Sequence, residues 1–161
     1  MSGAVPKIEV SDMSKYSVAI ISASWHKDIC DALIAGAERA LREAKVKVEP
    51  VIYVPGSFEL PLAAQFALDS GADAAVVLGV VVRGETPHFD YVCQGVTDGV
   101  MQVSLSRSKP VGFGVLTVEN TEQAIARSGV AGSKEDKGFD ATVAALELLR
   151  VKRDLPVLRK S

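Results

Sequence analysis

Four short apolar runs along the chain have the composition of buried β-strands. They cover residues 17–22, 51–54, 74–82 and 110–117, and valine and isoleucine are frequent in them. β-Branched residues favour strands, and short apolar runs bounded by turn-forming residues fit strands with both faces buried. The third run contains no polar side chain, so we expect it to be a central strand of a parallel sheet.

The segments between these runs carry the periodicity of amphipathic helices. Apolar residues recur there at intervals of three and four, which places them on one face of a helix. The stripes consist of Ile29, Leu33, Ala37, Leu41 and Ala44; Phe58, Leu62 and Phe66; Phe89, Val92, Val96, Val100 and Val103; and Phe139, Val143, Leu146 and Leu149.

Helix starts are marked by residues that favour the first turn. Thr86 is a good N-cap, and Pro87 follows at the position where proline is preferred, so a helix is predicted to open there. Asn120, with Gln123 three residues on, resembles a capping box and predicts a short helix to about Arg127. Pro61 is tolerated in the first turn of the second helix.

The alternation of strands and helices indicates an α/β fold. It predicts a three-layer α/β/α sandwich with a central four-stranded parallel sheet and right-handed crossovers. Residues 16–161 are expected to form this single domain, and residues 1–15, which lack a period, a flexible N-terminal arm. Ligands in such sheets bind at the carboxyl ends of the strands.

Composition and charge exclude several classes of function for this protein. The 161 residues are 48% hydrophobic and carry a net charge of −2, without the basic surplus or stripe that is typical of nucleic-acid binding. Cys30 and Cys93 lack metal-ligand spacing, so we expect reduced, partly buried thiols. Residues 1–10 do not resemble a signal peptide, and the longest apolar run is too short to span a bilayer. The sequence therefore predicts a cytoplasmic, soluble protein without membrane or nucleic-acid partners.

The most informative stretch is residues 83–88, Arg-Gly-Glu-Thr-Pro-His. A flexible glycine precedes a helix start, where free N–H groups and the helix dipole favour a phosphate. The dipole disfavours an imidazolium, so His88 is a candidate base near neutral pH; a surface histidine without a role is the alternative. Glu85 stands where a nucleotide-binding P-loop needs lysine, which argues against an ATP or GTP site.

Other polar and aromatic residues also follow strand ends. Trp25 is a candidate for stacking on a planar heterocycle, although a core or interface tryptophan fits equally well. Glu59 is a candidate ligand for substrate hydroxyls, or a residue that favours the helix dipole. Arg127 and Lys137 flank a glycine-containing loop and are candidates for gripping a phosphate, against the alternative of solvated surface charges. His26 faces a helix start and is expected to be structural.

Four segments of the chain fit one family pattern together. They are residues 79–92 (GVVVRGETPHFDYV), 113–124 (FGVLTVENTEQA) and 56–61 (GSFELP), with the pair Lys137-Gly138 in the expected order. Together they resemble the lumazine synthase family, which acts in the penultimate step of riboflavin biosynthesis. The resemblance extends from about Tyr16 to Arg150. It implies a flavodoxin-like fold and an active site between adjacent subunits of a homo-oligomer.

The resemblance also implies the substrates and the role of each site residue. An aminoribitylaminouracil would condense with dihydroxybutanone phosphate, without a metal or organic cofactor. His88 would move protons, and Glu85, Thr86, Arg127 and Lys137 would bind the phosphate. The pyrimidine and ribityl chain would contact Trp25, Ser57, Phe58, Glu59, Val80, Val81, Val82 and, from a neighbouring subunit, Phe113.

The loop at residues 129–136 resembles that of family members that stop at pentamers rather than those that build sixty-subunit shells. We therefore expect a free pentamer. Many relatives carry another aromatic residue at position 25, and stacking survives that change. Two other functions share the fold order: a flavodoxin-like module that binds a flavin or nucleotide without catalysis, and a structural container.

Overall fold

The computed structural model describes residues 12–156 of the chain. Four strands form one parallel sheet: β1 (Val18–Ala23), β2 (Ile52–Val54), β3 (Ala74–Val82) and β4 (Val111–Val118). Their order across the sheet is β2-β1-β3-β4, so β1 and β3 are central. The bounds of β3 are those expected from its apolar run, and β1 and β4 begin one residue later than expected.

Helices cover both faces of the sheet. They are α1 (Lys27–Glu43), α2 (Leu60–Asp69), α3 (His88–Arg107), α4 (Thr121–Ile125) and α5 (Lys137–Asp154), and a 3₁₀ turn (Ser57–Glu59) precedes α2. Helices α1 and α5 pack on one face, and α2 and α3 on the other. The predicted three-layer α/β/α fold with four parallel strands is therefore confirmed.

The core has two halves because successive side chains of a strand point to opposite faces of the sheet. Ile20 packs into the half beneath α1 and α5, whereas its neighbour Ile21 packs into the half beneath α2 and α3. Val76 and Val77 divide in the same way. Each such side chain contributes about 1.5–3 kcal/mol when fully buried, so both central strands are firmly held.

The apolar stripe predicted for the buried face of α2 is wrong, because its residues are exposed. Phe58, Leu62 and Phe66 are 61%, 54% and 61% exposed, and Phe58 precedes the helix in the 3₁₀ turn. The buried face of α2 instead consists of Leu60, Ala64 and Leu68. These three residues pack into the core half beneath α2 and α3, so the opposite face of α2, with Leu62 and Phe66, points outward.

The helix starts agree with their predicted caps in part. Helix α3 begins at His88 with Pro87 as its N-cap, so the expected cap at Thr86 is wrong by one residue, although the His88 N–H donates a long bond to Thr86 Oγ1 at 3.4 Å. Asn120 Oδ1 accepts the Gln123 N–H at 2.9 Å. The expected reciprocal bond of a capping box is replaced, because Gln123 Oε1 accepts from the Glu119 N–H rather than from Asn120.

The predicted arm falls mostly outside the described residues, namely at residues 1–11. Within the described part, Met13 is buried and its N–H donates to Ala44 O at 2.9 Å, which fixes the chain end against the end of α1. Both thiols are free, with Cys30 buried and Cys93 half-buried. No helix within residues 12–156 is both long and apolar enough to cross a membrane.

Candidate active site

A cleft of about 630 Å³ opens at the carboxyl end of the sheet. It brings together residues that are up to 67 positions apart in sequence, from Trp25 to Val92, on the loops after β1 and β2, the end of β3 and the start of α3. Eight of the predicted site residues line it: Trp25, Ser57, Phe58, Glu59, Val80, Val81, Val82 and His88.

Four further residues line the cleft that the sequence interpretation did not assign to it: His26, Gly56, Tyr91 and Val92. His26 and Gly56 adjoin predicted site residues. Tyr91 and Val92 follow His88 by three and four positions, which places them on the same side of α3. Helical spacing from His88 would have identified both.

Trp25 lies on the short connection between β1 and α1 with its ring exposed. Its carbonyl accepts a hydrogen bond from Cys30 Sγ at 3.2 Å, and the neighbouring Ser24 Oγ donates to Val54 O at 2.8 Å. The indole stands beside Gly56, where an added Cβ would be 3.5 Å from its Cδ1 atom. The loop is thus fixed while the ring face remains available for stacking.

The Cys30 thiol, which donates to this loop, is not activated for nucleophilic attack. Burial raises the pKa of Cys30, and its Sγ serves as a donor to the Trp25 carbonyl. Burial also raises the pKa of Cys93, with Asp90 acting in the same direction. Thiolates are the reactive form of cysteine, so neither residue is placed as a nucleophile.

The 3₁₀ turn after β2 presents Glu59 at the cleft. Its Oε2 atom accepts the Gly56 N–H at 2.9 Å, and its own N–H donates to Gly56 O at 3.3 Å. One carboxylate oxygen therefore closes the turn, and the other is free to accept from a hydroxyl. The structure thus places Glu59 at the cleft, with one of its two oxygens engaged by the turn itself.

Phe58 extends from the same turn over α3. A Cβ added to Gly95 would lie 2.8 Å from the Phe58 Cε2 atom, closer than real contacts allow. Glycine at position 95 therefore lets the ring rest directly on the helix backbone. This contact fixes the position of the Phe58 ring at the cleft, although most of the ring is exposed.

The floor of the cleft is the end of β3. Val80, Val81 and Val82 pair in register with Leu116, Thr117 and Val118 of β4, and burial decreases from Val80 to Val82 as the strand leaves the core. Backbone groups at this edge are the ones that a flat heterocycle between Trp25 and the strand would meet.

His88 is the first residue of α3 and is exposed at the cleft. Glu85 and Thr86 precede it in the exposed loop, next to the N-terminus of a 20-residue helix. Free N–H groups and the helix dipole at the start of a helix favour an anion in general. Glu85 and Thr86 themselves do not line the cleft but adjoin its His88 side.

Arg83 occupies the base of the same loop without entering the cleft. Its Nε donates to Glu119 Oε2 at 2.7 Å and its guanidinium reaches Asp90 Oδ1 at 3.4 Å. The hydrogen bond that Arg83 donates to Glu119 is the main cause that raises the pKa of Arg83. The guanidinium also lies 4.3 Å from the ring centroid of Phe89.

The remaining predicted residues lie apart from this cleft in the single chain. Arg127 lines a separate groove of about 660 Å³ beside α4, and Phe113 on β4 is 41% exposed. Arg127 and Lys137 both face Glu135, at 3.5 Å and 3.4 Å, and the Lys137 N–H donates to Arg127 O at 3.0 Å. The predicted phosphate-binding residues are therefore divided between two places.

Lys137 is also 3.9 Å from Asp140. Burial raises the pKa of Asp140, and the Lys137 ammonium opposes that rise. Lys137 thus balances two carboxylates within its own chain. Among residues 12–156, no group of three or more His, Cys, Asp or Glu side chains is arranged to hold a metal ion.

Comparison with known proteins shows which family the chain belongs to. The family model for 6,7-dimethyl-8-ribityllumazine synthase matches residues 15–153. The chain belongs to this family. A protein named 6,7-dimethyl-8-ribityllumazine synthase from a Nocardioides strain is 52% identical over 144 residues, which cover 89% of each chain.

Further relatives with the same name have similar identities. That from Streptomyces coelicolor is 51% identical over 147 residues and 91% of each chain. That from Kineococcus radiotolerans is 53% identical over 142 residues and 88% of each chain. The resemblance to lumazine synthases inferred from residues 79–92 and 113–124 is confirmed, and the family match covers residues 15–153.

Proposed function

We propose that the protein condenses 5-amino-6-(D-ribitylamino)uracil with 3,4-dihydroxy-2-butanone 4-phosphate. The products are 6,7-dimethyl-8-ribityllumazine, inorganic phosphate and water, in the penultimate step of riboflavin biosynthesis. The observation that carries the proposal is one cleft, in a chain of this family, lined by Trp25, Glu59 and His88. These are a stacking surface, a hydroxyl acceptor and a proton carrier, which suit the two substrates.

The pyrimidine half is assigned to the side of the cleft formed by β1 and β2. Trp25 stacks on the ring, and backbone groups of Val81, Val82 and Ser57 meet its polar edge. Phe58 covers the same half, and the free oxygen of Glu59 accepts from a ribityl hydroxyl. The support is the fixed position of each residue, set by the Cys30–Trp25, Gly56–Glu59 and Phe58–Gly95 contacts.

The phosphate is assigned to the N-terminal end of α3, where the N–H groups of the Glu85–Thr86 loop are exposed. A phosphate dianion at this helix end also needs a positively charged side chain nearby. Arg127 lines a different groove and Lys137 faces the same carboxylate, Glu135, so we assign both, with Phe113, to the neighbouring subunit. A head-to-tail interface that closes into a ring supplies each cleft with its neighbour's residues.

A closed pentamer is the assembly we favour, rather than a sixty-subunit shell. The exposed Phe58, Leu62 and Phe66 support burial against another subunit, because soluble monomers rarely leave a large contiguous apolar patch uncovered. The phosphorylated substrate does not cross a membrane unaided, which supports the cytoplasm as the location.

The chemistry requires proton movement and positioning rather than a strong nucleophile. The substrate amine attacks the ketone to form an imine with loss of water, phosphate leaves, and ring closure releases water again. His88, next to the phosphate-binding loop, takes up and returns the protons. Acid–base help contributes about a hundred- to ten-thousand-fold, so holding the two substrates together supplies the larger share. None of these steps needs a metal or an organic cofactor.

Mixing the purified protein with both substrates tests the proposal. We expect lumazine absorbance to appear together with one phosphate per product. Omitting either substrate should abolish both signals. Bound flavin without turnover would favour a flavodoxin-like binding module, and assembly without turnover would favour a container; either result would refute the proposal.

A further inference from the structure

We infer that Arg83 is a positioning residue: it fastens the loop at residues 83–88 to the end of β4 and thereby aims the phosphate-binding amides and His88 at the cleft. The inference rests on the proposed function for what the loop binds. It does not place Arg83 in contact with a substrate.

Arg83 connects the loop to the body of the protein on three sides. Its backbone N–H donates to Val118 O at 2.9 Å, which continues the pairing of β3 with β4. Its Nε donates to Glu119 Oε2 at 2.7 Å, just beyond β4. Its guanidinium reaches Asp90 and lies over the ring of Phe89, both in the first turn of α3.

The loop that Arg83 spans has little other support. Its hydrogen bonds within the described residues are local: the His88 N–H donates to Thr86 Oγ1 at 3.4 Å, and the Asp90 and Tyr91 N–H groups donate to Pro87 O. An added Cβ on Gly84 would meet nothing within 4 Å. The first turn of α3 is therefore tied to β4 mainly through the Arg83 side chain and the burial of Phe89.

The charge pattern argues against Arg83 as a phosphate ligand. Its side chain is 40% exposed but already faces two carboxylates, and it is not among the residues that line the cleft. Each exposed ion pair alone contributes little to stability. Their combination with a ring contact fixes an orientation, which a planar guanidinium achieves and a lysine ammonium does not.

The decisive test compares Arg83→Lys, Glu119→Gln and their double variant. If Arg83 positions the loop, each single variant lowers kcat by about ten- to a hundredfold and raises KM for the phosphorylated ketone. KM for the pyrimidine stays close to the wild-type value, and the double variant is no worse than the poorer single variant. If Arg83 instead contacts the phosphate, Glu119→Gln frees the guanidinium and lowers that KM, which would overturn the inference.

Wild-type turnover in Arg83→Lys would overturn it as well. A matched control is Arg107→Gln, which breaks a comparable ion pair with Asp69, at 3.1 Å, at the other end of α3. This control should leave both KM values unchanged.

Hydrogen exchange provides a readout that does not need turnover. The hydrogen-bonded amides of His88, Asp90 and Tyr91 should exchange faster in Arg83→Lys and Glu119→Gln than in wild type, and not in Arg107→Gln. Unchanged exchange would refute the positioning role. If the wild-type protein makes no lumazine, the proposed function fails, and the exchange rates still decide whether Arg83 holds the loop.

Discussion

The hydroxyl of Ser57 rests directly on the backbone of Gly79, and a Cβ at position 79 would stand 2.5 Å from Ser57 Oγ. Ser57 is only 7% exposed, and its Oγ has no hydrogen-bond partner among the described residues. The glycine within strand β3 thus makes room for the turn that carries Ser57, Phe58 and Glu59.

We expect Gly79→Ala to raise KM for the pyrimidine substrate, because the added methyl group displaces the turn that holds the ring edge and Glu59. The double variant Ser57→Ala with Gly79→Ala should recover most of the affinity, since the clashing oxygen is gone. Steady-state kinetics with varied pyrimidine measures both. A wild-type KM in the Gly79→Ala variant would show that the close approach has no part in binding.

The single variant Ser57→Ala is expected to keep its pyrimidine KM, because a buried Oγ is out of reach and only the Ser57 backbone can meet the ring. Removing an unpartnered buried hydroxyl should leave stability unchanged or raise it by about 1 kcal/mol. Thermal or urea unfolding checks the second expectation. A large loss of affinity would mean that the hydroxyl itself contacts the substrate.

The sequence predicted the layers and most of the cleft because the signals involved are local. The apolar run of β3 and the strand-end positions of Trp25, Glu59 and His88 depend on a few neighbouring residues and on the rule for parallel sheets. Whether Phe58, Leu62 and Phe66 point outward or into the core depends instead on which surface lies opposite α2. Hydrophobicity alone does not tell a core from a surface that another chain covers.

The division of the predicted phosphate-binding residues could not be predicted for the same reason. The resemblance placed Arg127 at the phosphate with Glu85 and Thr86, yet in the single chain it lines its own groove beside α4. Sequence order gives no distance between two loops at the same edge of a sheet. The Arg83–Glu119 contact also escaped notice, because 36 residues separate the partners.

His88→Ala should lower kcat by about a hundred- to ten-thousand-fold while pyrimidine binding stays nearly intact. The comparison is His26→Asn, since His26 adopts a left-handed backbone (φ 54°) that asparagine tolerates. This variant alters the other histidine at the cleft and should lose far less activity. Single-turnover kinetics and a binding titration separate the two effects. Equal losses in both variants would argue against a proton-transfer role specific to His88.

Mixing two inactive variants tests whether neighbouring subunits share each site. Arg127→Ala alone should raise KM for the phosphorylated ketone. If Arg127 enters the cleft of the neighbour, hybrids of Arg127→Ala and His88→Ala subunits, mixed equally after unfolding and refolding together, contain intact clefts at about a quarter of the interfaces. Activity should therefore return in the mixture. Mixtures as inactive as either variant would place both residues in the cleft of one subunit.

The size of the assembly is checked by light scattering on the purified protein. We expect the mass of five 17.0 kDa chains at concentrations where the enzyme is active. The expectation rests on the resemblance of the loop at residues 129–136 to that of pentameric relatives. A mass near sixty chains would contradict it without affecting the proposed reaction.

Lys137→Met should destabilise the protein near neutral pH and much less in acid. Burial already raises the pKa of Asp140 above its unfolded value, and loss of the Lys137 ammonium raises it further. The folded state then binds more protons than the unfolded state, so stability falls as the pH rises through this range. Below the unfolded pKa of Asp140 the carboxyl is protonated in both states and the penalty disappears.

Urea unfolding at several pH values measures the effect, which we expect to reach about 1 kcal/mol at pH 7. Lys27→Met, which removes an ammonium from a more exposed pair with Asp31, is the control and should show no such pH dependence. A loss that is equal at all pH values would mean that Lys137 stabilises the fold by packing rather than by charge.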